Sequence, residues 1–303
     1  MAVTIEKTDP RLAPDVAAKY ERLRRIVHEL GSVLIAWSAG VDSTLLLKVC
    51  HDELGDRAVA VTAVSESLPT RELAEAKRLA TGLGIRHLLV ETSELANEDY
   101  ASNPTNRCYY CKEELYTTIW PLAEQEGLAH VVNGANLDDM GDFRPGMQAA
   151  RDLGVRAPLL EAELGKPEIR ALSYELGLST WDKPAFACLS SRIPYGSRVT
   201  EEKLGQIDRA EMVLLRHGFR QMRVRHHDEV ARIEVPPEDM PRFFGDGVHE
   251  QVVGALQEIG FRYVTLDLQG YRSGSLNEGL PQLSSIAASG QRPGRKPLPI
   301  VQS

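Results

Sequence analysis

The sequence predicts an α/β fold, a parallel sheet with helices on both faces, followed by a smaller α+β domain. Three observations predict it. Short apolar runs of strand type alternate with helix-length runs over residues 18–177. The first of these strands ends in a loop of small residues, 38–43, that opens directly into a helix-length apolar stretch. The alternation then breaks at residues 181–200, WDKPAFACLSSRIPYGSRVT, which are rich in Pro, Ser and Gly and have no clear period.

The elements follow in order. Residues 1–18 hold Pro10 and Pro14 and little periodicity, and read as a flexible arm. Apolar positions at helical spacing predict a helix over 18–30. Residues 33–37 (VLIAW) are a run of buried-strand type, and TLLLKVCHDEL after the loop is long enough for a helix. A strand at 57–64, a helix at 70–84 ended by Gly84, a strand at 87–91, a helix at 115–127 and a strand at 130–133 continue the pattern. A helix over 166–177 stops at Gly177. The break at 181–200 divides the chain into a first domain, 19–183, and a second, 184–274. The second domain is expected to hold a helix at 201–218 and paired strands at 221–225 and 230–235. A mostly helical stretch at 241–259 and a strand at 262–268 complete it. Residues 275–303, rich in Pro, Gly, Ser and Gln, read as a flexible tail.

Composition narrows the function classes. Hydrophobic residues at 43% and charged residues at 26% are the balance of a soluble globular chain. No apolar run approaches the roughly 20 residues that span a bilayer, and the first residues lack the apolar core of a secretory signal. A cytoplasmic protein with no membrane partner is expected. A net charge of −8 argues against a dedicated nucleic-acid binder.

The loop Ser38-Ala39-Gly40-Val41-Asp42-Ser43 lies where a strand turns into a helix. Such a turn aims backbone N–H groups and the positive end of the helix at an anion. Asp42 would repel phosphate unless it holds Mg²⁺ or orients the loop. No G-x-x-x-x-G-K-[ST] occurs, so this is not a Walker loop. The alternative is an ordinary N-capped helix start.

Cys108-Tyr109-Tyr110-Cys111 is a C-x-x-C, and Cys188 lies in the loop at the domain break. Two ligands three apart can share a metal and take a third from elsewhere; structural zinc normally closes with four. Three thiolates on an iron–sulfur cluster would leave one iron open to an extra sulfide. A redox dithiol and a zinc half-site completed by a histidine are the alternatives. Cys50, on the apolar helix, reads as a core residue.

Asn133-Gly134-Ala135-Asn136-Leu137-Asp138-Asp139 follows a predicted strand, where open α/β sheets bind ligands. Asp138, Asp139 and Asp142 can carry Mg²⁺ or order an Asx-rich turn, and Arg144 can meet phosphate. Ser191 and Arg192, just after Cys188, suggest an anionic substrate. Arg223 and Arg225 alternate on a strand, so they share a face suited to phosphate or carboxylate; the alternative is a solvated basic stripe. Glu234 shares a face with Arg232. Glu211 is a general base or a surface carboxylate.

The strand–loop–helix with residues 38–43 resembles the PP-loop pyrophosphatase superfamily, whose signature is S-G-G-x-D-S. Here the first Gly is Ala39, which is tolerable if that position does not need φ > 0. Longer motifs make the resemblance closer. They are N-P-x-x-R-C-Y-x-C-K at 103–112, N-G-x-N-x-D-D at 133–139, D-x-R-P-G at 142–146 and S-S-R-I-P-Y-G at 190–196. Arg223-Val224-Arg225, A-R-I-E at 231–234 and R-Y-V-T-L-D-L-x-G-Y-R-S-G at 262–274 extend it. Across residues 18–275 the chain resembles the LarE family, ATP-dependent sulfurtransferases of nickel-pincer cofactor assembly.

The resemblance implies ATP, Mg²⁺ and a substrate, pyridinium-3,5-biscarboxylic acid mononucleotide. Each carboxylate would become an acyl-adenylate, and sulfur would displace AMP, a far better leaving group than a carboxylate oxygen. ATP would meet Ser38, Ala39, Gly40, Val41, Asp42, Ser43, Asn136, Asp138 and Arg144. The substrate would meet Ser191, Arg192, Arg223, Arg225 and Glu234. Cys108, Cys111, Cys188 and Glu211 would carry the chemistry. Some family members sacrifice one cysteine; others hold a 4Fe–4S cluster on three. Alignment on S-S-R puts Ala187 at the sacrificial position, next to Cys188, so the cluster version is expected here. The family resemblance also implies a homo-oligomer, a hexamer. A tRNA-thiolating enzyme, an ammonia-using synthetase and a non-catalytic nucleotide sensor are the competing readings.

Overall fold

The computed structural model describes residues 13–141, 145–184, 187–272 and 276. The chain begins with helix α1 (Pro14–Leu30), strand β1 (Val33–Ala36), helix α2 (Val41–Leu54) and strand β2 (Ala58–Val64). Helix α3 (Thr70–Leu83), strand β3 (His87–Glu91), a single helical turn α4 (Glu98–Ala101) and helix α5 (Arg107–Gln125) come next. Strand β4 (His130–Asn133) is followed by short helices α6 (Pro145–Asp152) and α7 (Pro158–Glu161), then α8 (Lys166–Glu175).

Strands β1 to β4 form a parallel sheet in the order β3-β2-β1-β4. Side chains alternate across it into two cores. Val33, Ile35, Ala58 and Ala60 face a core built with α1, α2, α3 and α8. Leu34, Val59, Val61 and Val131 face a second core with α5 and α6. Both faces are therefore covered, which is why the strands read as unbroken apolar runs. The strand order reverses between β1 and β4, and open α/β sheets bind ligands at the carboxyl ends of such a pair.

A 3-10 turn (Leu189–Arg192) leads to helix α9 (Glu201–Arg216), the antiparallel hairpin β5 (Arg223–His227) and β6 (Val230–Glu234), helix α10 (Val248–Ile259) and strand β7 (Tyr263–Leu266). Strand β7 pairs parallel to β6, giving a sheet β5-β6-β7 over its own core of Leu214, Phe219, Ile233, Val252 and Leu256. Tyr100, Leu189, Ile193, Val199, Leu204 and Ile207 pack as a separate cluster. The α/β parallel sheet and the separate small sheet are those expected from the sequence.

Two differences bear on the site. Helix α1 starts at Pro14, earlier than the apolar spacing suggests, because proline at the first helical turn is preset to a helical φ. Helix α5 starts at Arg107 rather than near residue 115, so Cys108 and Cys111 stand three apart on a helix and share a face. Among the described residues no helix is long and apolar enough to cross a membrane.

Candidate active site

Residues 38–43 join the end of β1 to the start of α2. Gly40 is the N-cap, has no side chain to cap with, and leaves the first-turn N–H groups of α2 without intrahelical partners. Ser38 Oγ and Ser43 Oγ lie 3.1 Å apart, and Ser38 N–H donates to Ser43 Oγ at 3.4 Å. Ala39 has φ 54, inside the left-handed region, so the condition under which alanine is readily tolerated there is not met. A Cβ there costs roughly 1–2 kcal/mol, which the surrounding contacts must offset. The loop from β4 closes against it: a Cβ on Gly134 would lie 2.9 Å from Ser43 N. Only glycine lets the two loops of the switch point meet.

Two lysines that the sequence reading missed hold this loop. Lys166, at the start of α8, donates to both Asp42 oxygens at 2.6 Å. Lys183 is buried and donates to Ala39 O at 3.2 Å, Glu72 Oε2 at 2.9 Å and Glu75 Oε2 at 2.7 Å. Their signal was faint: single lysines after Gly165 and inside the irregular 181–200 stretch. Asn136 and Asp138 form the Asx-type turn named above. Asn136 N–H donates to Asp139 Oδ2, Asp138 N–H to Asn136 Oδ1, and Lys166 N–H to Asp138 Oδ2. Asp142 and Arg144 lie outside the described residues.

The three candidate cysteines share one neighbourhood. Cys108 is exposed as a residue, and Cys111 and Cys188 are half-buried. The atoms packed round the Cys108 thiol, and then Cys188, push its pKa up against the pull of Arg107 and Lys112. Burial likewise pushes Cys111 up, with Glu94, Cys188 and Cys108 adding to it and Lys112 opposing. Cys50 is fully buried in the core of α2 and takes no part. Three thiols that influence one another electrostatically are a donor set of the kind an iron–sulfur cluster takes. Among the described residues no three Cys, His, Asp or Glu side chains are drawn together tightly enough to hold a metal ion as they stand.

Hydrogen bonds tie the neighbourhood together. Arg107 is buried and donates to Asn103 Oδ1 and to Ser190 O at 3.0 Å. Tyr100 hydroxyl and Ser190 Oγ lie 2.6 Å apart, and Leu189 N–H donates to Ser67 O just beyond β2. Asn133, at the end of β4, donates to the Tyr116 hydroxyl of α5. The cysteines and the phosphate loop thus occupy the carboxyl edge of one sheet.

Arg192, expected to meet substrate, is fully buried. Its Nε and Nη2 donate to Glu211 at 2.9 and 3.0 Å, and its Nη1 donates to the carbonyls of Ala187 and Cys188 and to Ser191 Oγ. It shapes the cysteine loop from beneath. Glu211 is not the surface carboxylate that was one of its two readings. It is 2% exposed and also accepts from Arg71 Nη2 at 3.3 Å and Val224 N–H at 3.2 Å. Burial opposes its ionisation, but Arg192, Arg71 and Arg223 outweigh burial and hold its pKa below the usual carboxylate range.

Arg223 and Arg225 are buried, so the solvated-stripe alternative fails. Arg225 meets Glu234 through two bonds at 3.0 and 2.9 Å and donates to Ser191 O at 2.7 Å. Arg223 donates to Met222 O and to the Tyr271 hydroxyl, and lies over the Tyr271 ring. Burial, and then the charges of Arg192 and Arg225, pull its pKa down. Glu234 also accepts from Arg232 Nη2 at 3.1 Å.

No family model matches the chain. An uncharacterized protein of Synechocystis sp. is 52% identical over 263 residues, 87% of this chain and 98% of that protein. Pyridinium-3,5-bisthiocarboxylic acid mononucleotide synthase of Lactiplantibacillus plantarum is 39% identical over 277 residues, 90% of this chain and 99% of that protein. The glutamine-hydrolyzing GMP synthase of Phaeosphaeria nodorum matches 202 residues at 27% identity, 56% of this chain and 37% of that protein. With the parallel sheet and its phosphate loop, these likenesses show that the chain belongs to the LarE (pyridinium-3,5-bisthiocarboxylic acid mononucleotide synthase) family of the PP-loop superfamily.

Proposed function

We propose that this protein uses ATP to convert the two carboxylates of pyridinium-3,5-biscarboxylic acid mononucleotide to thiocarboxylates. The observation that carries the reading is the near full-length likeness to the bisthiocarboxylic acid mononucleotide synthase, in a chain that keeps a phosphate loop and three convergent cysteines at one sheet edge. In this reading residues 19–183 carry the nucleotide chemistry and residues 184–274 the substrate and sulfur chemistry.

A substrate carboxylate oxygen attacks the α-phosphorus of ATP, pyrophosphate leaves, and an acyl-adenylate forms. Ser38, Gly40 and Ser43 hold the phosphates by N–H and hydroxyl donors, and Asp42 is the carboxylate that would hold Mg²⁺ in place of Lys166. A sulfide nucleophile then adds to the acyl carbon, and AMP leaves with the bonding electron pair. Arg223 and Arg225 orient the anionic substrate, with Glu234 fixing the Arg225 fork.

Cys108, Cys111 and Cys188 would hold a 4Fe–4S cluster, which supplies reactive sulfide when bound. Their role is to ligate and orient; Arg107 and Lys112 offset the negative charge gathered there. Arg192 and Glu211 set the position of the Cys188 loop. Homo-oligomer formation and a cytoplasmic setting belong to the same reading.

The test is anaerobic purification, with iron and sulfide content measured alongside pyrophosphate release from ATP. About four irons and four sulfides per chain, lost in Cys188→Ala while ATP-dependent pyrophosphate release persists, is the expected result. Protein that stays colourless and iron-free after cluster reconstitution would sink the cluster, and absence of pyrophosphate release with substrate would sink the adenylylation.

A further inference from the structure

The phosphate loop presents its N–H groups to an anion only if its peptide planes are turned the right way. The Ala39–Gly40 peptide is the critical one, because Ala39 holds the strained φ 54 and Gly40 caps α2. A trans peptide sets its C=O and N–H in opposite directions. Lys183 Nζ donates to Ala39 O at 3.2 Å, so the Gly40 N–H of that plane is turned away from Lys183.

Lys183 is itself held from several sides. Its side chain is 9% exposed, and its ammonium is gripped by Glu72 and Glu75 of α3. Its backbone is pinned as well: Arg170 Nη2 of α8 donates to Lys183 O at 2.9 Å, and Lys183 N–H donates to Thr180 O. A long, flexible side chain anchored at both ends is pre-organised. The cation also compensates two carboxylates close to a loop meant to receive phosphate.

We propose that Lys183 is a positioning residue of the phosphate loop: by holding the Ala39 carbonyl from behind, it turns the Gly40 N–H into the anion cradle. This rests on the reading of residues 38–43 as a nucleotide-phosphate site. Acting through the loop backbone, Lys183 affects the affinity for the polyphosphate chain whatever base is attached.

The test measures binding of Mg-ATP and of Mg-pyrophosphate to the full-length protein by calorimetry, for wild type, Lys183→Met and Lys183→Arg, with a melting curve on each. Loss of a charge-assisted bond predicts binding weaker by about tenfold or more for both ligands in Lys183→Met. Lys183→Arg, which keeps a donor, should return both to within about threefold of wild type. If Lys183→Met does not fold, Lys183→Met/Glu72→Gln removes the buried cation together with a buried carboxylate and carries the same expectation. Lys183→Met protein that binds both ligands within about twofold of wild type, or that loses ATP but keeps pyrophosphate, overturns the inference. Wild-type protein that binds neither ligand overturns the phosphate-site reading beneath it.

Discussion

Arg192 and Glu211, both almost wholly buried, meet in a two-point contact at 2.9 and 3.0 Å, and the remaining arms of Arg192 close on the carbonyls of Ala187 and Cys188. Through Glu211 the same pair reaches Arg71, next to the Glu72 that grips Lys183. Buried charged contacts thus run from the cysteine loop to the underside of the phosphate loop.

Removing one partner of a buried ion pair leaves the other charge uncompensated. Glu211→Ala is expected to destabilise the fold by about 3–5 kcal/mol, read from urea unfolding. Glu211→Gln should cost less, because an amide oxygen can still accept from Arg192. Equal stability of Glu211→Ala and wild type would refute the pair's importance.

Gly134→Ala tests the contact between the two loops of the switch point. The added Cβ meets backbone at Ser43 N, 2.9 Å away, where no flexible side chain can yield. The β4 loop must move off the α2 N-terminus. Pyrophosphate release from ATP is expected to fall by about 10²-fold, because sub-ångström placement governs such sites. The melting temperature should change little. Unchanged activity would mean that the loops do not share a ligand.

Ala39→Gly should relieve the strain at φ 54. The left-handed penalty of about 1–2 kcal/mol exceeds the entropic cost of a glycine, about 0.5–1 kcal/mol, so unfolding free energy should rise by up to ~1 kcal/mol. A clear fall in stability would show that the Ala39 methyl, fully buried, is worth more than its strain.

His226 is expected to make the small sheet β5-β6-β7 acid-sensitive. Burial, and then Lys203, pull its pKa from 6.5 down to about 4. Its Nδ1 is buried with no hydrogen-bond partner among the described residues, and its Nε2 lies 2.8 Å from Gln206 Oε1. Above the unfolded value both states are neutral and stability is full. Below it the unfolded chain takes up a proton that the folded ring refuses until about pH 4. The loss approaches ~3 kcal/mol as an upper figure. Urea unfolding from pH 7.5 down to 4.5 should therefore fall more steeply for wild type than for His226→Gln; parallel curves would refute the assignment.

By itself the sequence determined the sheet, its order of elements and the chemistry on offer. Strands β1, β2 and β4 were legible within a residue or so because they are buried on both faces, and such burial demands apolar runs; the edge strand β3 was legible from its short apolar stretch between helices. The phosphate loop was legible because small residues between a strand and a helix have few other uses. The cysteines were visible as spacing, although the helix that carries two of them was read too short.

Only the tertiary structure decided which charges are buried and what they hold. Lys166 meets Asp42 across 124 residues and Lys183 meets Ala39 across 144. Arg192 and Glu211, read as a substrate ligand and a base, became each other's partner. A charged side chain in a sequence looks the same whether solvated or buried. Its role is set by the partner that folding brings within hydrogen-bond distance, and local spacing along the chain does not encode that partner.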